Sequence, residues 1–171
     1  MPECFKPDYS KTRVIIDCTE FSVEIPSGVD KHIYMYSYYK KGFTGKILIG
    51  CAPSGLITFK SRCAGERKSD AQITIRSGLL DLFEEDDEKK IIVVMLPFVS
   101  NPEFTKEETE QIYSIARVRI HIERIMRRIK LFHILNKVPT NLFPYIDEII
   151  HVVCVLVNLQ PHIIAEKDDN A

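Results

Sequence analysis

RVIIDCTEFSVEI, residues 13–25, is the stretch on which the fold turns. Val14, Ile15 and Ile16 are three β-branched residues in a row, which suits a strand buried on both faces of a sheet. The apolar run stops at Asp17. Beyond it Phe21, Val23 and Ile25 alternate with Glu20, Ser22 and Glu24, the period of a strand with one solvated face. A carboxylate where a central strand leaves the core is held rigidly while still reaching solvent or a cation. The plainer reading is that Asp17 only marks the end of the strand.

Working outward, the 171 residues suffice for one well-buried domain and are too few for two ordinary ones. An apolar fraction of 45% and a formal net charge of −1 are those of a globular chain whose affinity for nucleic acid must come from a local patch. Cys4, Cys18, Cys51, Cys63 and Cys154 are odd in number and show no C-x-x-C pair, so they suggest neither a zinc site nor a disulfide framework. A reducing, intracellular setting is expected. The N-terminal segment has no apolar core, and the longest apolar run, Ile149 to Val157, is too short to span a bilayer, so neither secretion nor membrane insertion is expected.

Downstream of the opening strand, residues 26–30 read as a loop. Tyr34 to Lys41 interleaves four tyrosines with Lys40 and Lys41, which suits a half-buried strand or a surface that stacks on bases and pairs with phosphates. Lys46–Cys51 and Leu56–Ser61, joined through Ala52-Pro53-Ser54-Gly55, predict a β-hairpin on a type I turn. Ser69-Asp70-Ala71-Gln72 is a capping box that opens a helix running to about Phe83, weakened by Gly78. Asp81 and Glu84 to Glu88 read as a solvated acidic connection. Ile91 to Met95 is another buried-strand run and, because it follows a helix, should lie parallel to the strand it joins.

A second capping box, Thr105-Lys106-Glu107-Glu108, opens the longest helix, Lys106 to about Lys130 with a continuation to Asn136 open before Pro139. Ile115, Val118, Ile122, Ile125, Met126 and Ile129 form its core stripe. Beside it lies Glu123, with Arg119 four residues before and Arg127 four after. Between Arg117 and Lys137 stand seven Lys and Arg against that one acid, the strongest basic stripe of the chain. Two readings compete: solvated i,i+4 ion pairs around Glu123, or a phosphate-binding stripe around a functional acid. A closing helix from about Pro144 to Leu159, apolar on most sides, should pack across the sheet, and residues 166–171 should form a disordered tail. The five histidines show no ligand spacing, and no glycine-rich phosphate loop, serine nucleophile elbow or internal repeat is present.

Certain blocks are more specific than the element order. Ile16-Asp17-Cys18-Thr19-Glu20, Tyr36-Ser37-Tyr38-Tyr39-Lys40, Lys46-Ile47-Leu48-Ile49-Gly50, Pro53-Ser54-Gly55, Ser77-Gly78-Leu79, Leu96-Pro97-Phe98 and Arg119-Ile120-His121-Ile122-Glu123-Arg124 together resemble the catalytic domain of DDE superfamily endonucleases, the Harbinger-type transposases and their relatives. The resemblance runs in order over nearly the whole chain. It implies an α/β fold, an RNase H-like mixed sheet with helices on both faces, forming one domain over residues 1–165. It also implies three carboxylates, on the first strand, just after the fourth and on the long helix, that hold divalent Mg²⁺ or Mn²⁺ for in-line attack on a DNA phosphodiester. Asp17 matches the first position and Glu123 the last, as catalytic residues and metal ligands. Lys40, Lys41, Arg119, Arg124, Arg127 and Arg128 are the expected contacts to the DNA backbone, and the nucleus is the expected setting.

The chain departs from the family at the fourth strand. There the family carries an Ala-Asp-(Lys/Arg)-Gly-aromatic block with the second catalytic aspartate. Here Val93-Val94-Met95 runs straight into Leu96-Pro97-Phe98, as if that block were excised and the fold truncated around the fourth strand. Impaired cleavage is therefore expected, with a non-catalytic, domesticated nucleic-acid or protein-binding module as the alternative. The family's usual helical DNA-binding region also finds no counterpart in the dozen residues before the first strand, so recognition of specific DNA ends is expected to need a separate DNA-binding partner protein.

Overall fold

The structure is a computed structural model, and it describes residues 12–65, 68–82, 91–93 and 106–161. At its centre lies β1 (Val14–Ser22). On one side β1 pairs antiparallel with β3 (Gly42–Cys51), from Ile15↔Cys51 to Ser22↔Thr44, and on the other it pairs parallel with β6 (Ile91–Val93), from Val14↔Ile91 to Ile16↔Val93. The far edge of β3 carries β2 (Tyr36–Ser37), β4 (Ile57–Lys60) and β5 (Ala64–Gly65), all antiparallel. The path through the sheet is β2-β3-β1-β6. The parallel pairing of β6 is the one expected for a strand that follows a helix.

Because side chains alternate along a strand, β1 feeds two cores. Ile15, Phe21 and Val23 join Ile47, Ile49 and the buried stripes of α3 (Lys106–Lys130) and α4 (Ile146–Asn158). Val14 and Ile16 join Leu48, Ala64, Ile73 and Leu79 on the opposite face, under α2 (Asp70–Arg76). The result is a mixed sheet covered on both faces, the RNase H-like α/β arrangement expected. The described part of β6 is three residues long, and residues 94–105, where the truncation is expected, lie outside the described residues, as do Cys4, the acidic run 84–88 and the tail 166–171.

Local chemistry explains most element boundaries. Gly55, at φ 90°, closes the hairpin as its N–H donates to the Ala52 carbonyl at 2.8 Å. Ser69 caps α2: its hydroxyl accepts from the Gln72 N–H, and the Gln72 side chain accepts from the Ser69 N–H, both at 3.2 Å. That helix stops at Arg76, short of the expected Phe83, because Gly78 at φ 74° takes the left-handed conformation that ends helices, and a 3-10 turn at Leu80–Leu82 follows. α3 ends at Lys130 and gives way to a 3-10 turn at His133–Leu135 that buries Leu135. The turn lets Val138 hydrogen-bond to Ser22 and Glu24, each at 2.9 Å, so the chain returns to the end of β1.

Two further expectations fail. The one-face alternation breaks after Val23, since β1 ends at Ser22 and Ile25 is 67% exposed. The loop at 26–30 and the strand at Tyr34–Lys41 are instead a short helix, α1 (Val29–Met35), the two-residue β2 and a turn. Only Met35 of α1 is buried, and His32 stacks edge-on against Phe43 with ring centroids 4.9 Å apart. Tertiary contact overrides the strand preference of the tyrosines there.

Candidate active site

Asp17 sits on the α3 side of β1, two residues beyond the buried Ile15 and opposite Ile49 of β3. The described pairing with β6 stops at Ile16↔Val93, one residue earlier. On α3, Val118, Ile122, Ile125 and Ile129 point into the core. One step round the helix, Arg119, Glu123, Met126, Arg127 and Lys130 recur at three- and four-residue intervals and form the adjoining row. Packing the core stripe on β1 lays that row over the strand's exit. A depression of about 340 Å³ results, lined by Asp17, Cys18, Thr19, Arg119, Glu123, Met126, Arg127 and Lys130. The two acids singled out by the sequence thus meet in one pocket although 106 positions (123 − 17) separate them.

Burial raises the pKa of Asp17 above the ordinary aspartate value, opposed by the Cys18 N–H donated to Oδ1 at 2.9 Å and by Arg119, and reinforced by Asp70 and Glu123. Glu123 Oε1 lies 2.8 Å from Arg119 Nε, an i,i+4 pair. The approach is close but poorly aligned, since Arg119 Nε is also a buried nitrogen without a properly directed hydrogen bond. No ion pair joins Glu123 to Arg127, so of the two pairs expected on a solvated face one forms. Cys18 borders the pocket, but its thiol turns to the opposite face with Val14, Ile16 and Leu48, where burial pushes it up to about 12 and keeps it a neutral S–H. On that same face Lys46 ties α2 to the strands, 3.1 Å from Asp70 and 3.5 Å from Glu20.

The expected basic contacts divide. Arg119 and Arg127 line the pocket. Arg124 is exposed and not among the lining residues, and Arg128 reaches away to donate Nη1 to the Pro161 carbonyl at 2.7 Å. Lys40 and Lys41 occupy the exposed turn before Gly42, whereas β3 passes Asp17 at Ile49, seven residues and roughly 20 Å further along. Lys130 and Thr19 line the pocket and were not among the expected site residues. Helical and strand periods could have found them, because Lys130 is seven residues after Glu123 and Thr19 two after Asp17.

Among the described residues no group of three or more His, Cys, Asp or Glu is placed to hold a metal ion. Two carboxylates in one pocket, one of them with a raised pKa that a cation would relieve, fit a single hydrated divalent ion, which takes one or two carboxylates and keeps several waters. They do not fit a bridged pair of ions. No described helix is long and apolar enough to cross a membrane. No curated protein and no solved structure matches the chain. Residues 16–158, well over half of the sequence, match the family described as DDE superfamily endonuclease, and the chain belongs to that family.

Proposed function

We propose that the chain is a transposase-derived nuclease domain of the Harbinger type, working in the nucleus on DNA phosphodiesters, with cleavage slowed by the lack of the second aspartate. The observation that carries this reading is the convergence of Asp17 and Glu123 on one cation-lined pocket within a chain of this family. Asp17 and Glu123 are the residues that would hold one Mg²⁺ or Mn²⁺. When bound, such an ion polarises a phosphoryl oxygen and makes bound water a better nucleophile. The chain's own part is to fix the two carboxylates on rigid elements and to draw the DNA backbone in with Arg119 and Arg127. Glu123 must exchange its contact with Arg119 for the ion, and the poor alignment of that pair keeps the exchange inexpensive.

The experiment is nicking of supercoiled DNA by the purified chain in Mn²⁺, with Asp17→Asn and Glu123→Gln alongside. Slow, metal-dependent nicking that both substitutions reduce at least a hundredfold is the expected result. If none of the three nicks while the parent still binds DNA at low salt, the nuclease reading falls and the non-catalytic binding module replaces it. Such a module would lose affinity steeply with salt and be indifferent to Asp17→Asn.

A further inference from the structure

Thr19 follows Asp17 by two residues and lines the same pocket. It is only 6% exposed, and its Oγ1 is buried with no hydrogen-bond partner. A buried hydroxyl left unpaired is costly; the buried Ser61 hydroxyl, by contrast, accepts from the Leu48 N–H and donates to the Arg62 carbonyl. Directly across the pocket, Arg127 and Lys130 have no ion-pair partner among the described residues. Arg119 is already engaged by Glu123. The pocket therefore carries two uncommitted cations and one uncommitted donor next to its two carboxylates. That is an unbalanced set, and an anion with several acceptor oxygens completes it.

We propose that Thr19, Arg127 and Lys130 hold one phosphate group beside the Asp17 and Glu123 carboxylates. Arg127 and Lys130 supply charge, and a modest turn of the Thr19 side chain brings its hydroxyl to a phosphate oxygen and fixes where the group sits. Thr19 is in this account a positioning residue. That the phosphate belongs to a nucleic-acid backbone rests on the nuclease reading above; the anion subsite itself does not.

The test is titration of the isotope-labelled full chain with inorganic phosphate, and separately with a short single-stranded DNA oligonucleotide, following backbone amide shifts without divalent metal. Shifts are expected at Thr19 and along 126–130. Thr19→Val should weaken phosphate binding roughly ten- to a hundredfold, the loss of one hydrogen bond to a charged group, and Thr19→Ser should restore it. The double substitution Arg127→Gln with Lys130→Gln should abolish binding, while Arg76→Gln, on exposed α2, should leave it unchanged. Thr19→Val should also melt no lower than the parent, because it removes an unsatisfied buried hydroxyl and keeps the volume. Unchanged phosphate affinity in Thr19→Val, or a clearly lowered melting temperature, would overturn the proposal. Equal affinity per phosphate for the oligonucleotide and the free ion would overturn the backbone assignment. Phosphate binding with the expected ranking of variants but without nicking would uphold the subsite and remove the nuclease reading. Nicking with Thr19→Val indistinguishable from the parent in phosphate binding would do the reverse.

Discussion

Burial at the exit of β1 raises the pKa of Asp17 above its ordinary 3.8, and the folded chain therefore holds that proton more tightly than the unfolded chain does. The sign follows: the group favours folding most below the ordinary aspartate pKa, and that advantage is lost as pH rises through the raised folded value. At neutral pH the ionised carboxylate is a net liability, which the Cys18 N–H and Arg119 relieve only in part. Asp17→Asn should accordingly melt at or above the parent temperature at pH 7 in chelator, and the difference should close as pH falls below about 3.8. Thermal unfolding at several pH values checks this; a marked loss of stability at pH 7 would mean that the charge is already satisfied. Ile122 makes the contrast at the neighbouring position. It is fully buried between α3 and β1, so Ile122→Ala should cost about 2–5 kcal/mol in urea unfolding and disturb the site only through the fold.

Elements of this domain are held to one another by a few polar ties as well as by apolar packing. Asn158, the last residue of α4, accepts from the Ile57 N–H at 2.8 Å and donates to the Ile57 carbonyl at 2.9 Å, closing off the start of β4. Near the other end of α4, Asp147 accepts from the Cys63 N–H at 2.7 Å. Asn158→Ala strands both backbone groups of Ile57 and should cost about 1–3 kcal/mol, with faster amide exchange at Ile57. Gly45 is needed for a different reason: an added Cβ would stand 2.6 Å from the Phe21 ring and 2.9 Å from Cys63 Sγ. Gly45→Ala should therefore cost about 1–3 kcal/mol by overpacking, read from the same urea midpoints. The elements legible in the sequence are those whose signal is local, such as the hairpin turn at Pro53–Gly55, the capping box at Ser69–Gln72 and the core stripe of α3. α1 was not legible, because its N-terminus lacks a side-chain cap and its only buried residue is Met35. The tyrosines at its end and just beyond it, Tyr34 to Tyr39, instead suggest a strand, and only contact with β3, Phe43 included, decides otherwise.

Across the whole molecule, the pairing of Asp17 with Glu123 could be anticipated only through the family resemblance, since no spacing rule links positions so far apart. The fold supplies the link by laying one row of α3 over the exit of β1. The same geometry explains why the basic residues of one helix part company: Arg119, Arg127 and Lys130 follow the row of Glu123, whereas Arg124 lies off it and Arg128 turns to Pro161. The central claim is that two carboxylates remain as a site for one divalent ion. Titration of the purified chain with Mn²⁺, followed by electron paramagnetic resonance of the free ion, tests it without reference to activity. The account predicts one saturable ion per chain in the parent and at least tenfold weaker binding in both Asp17→Asn and Glu123→Gln. Absence of saturable binding, or binding that survives both substitutions, would contradict it.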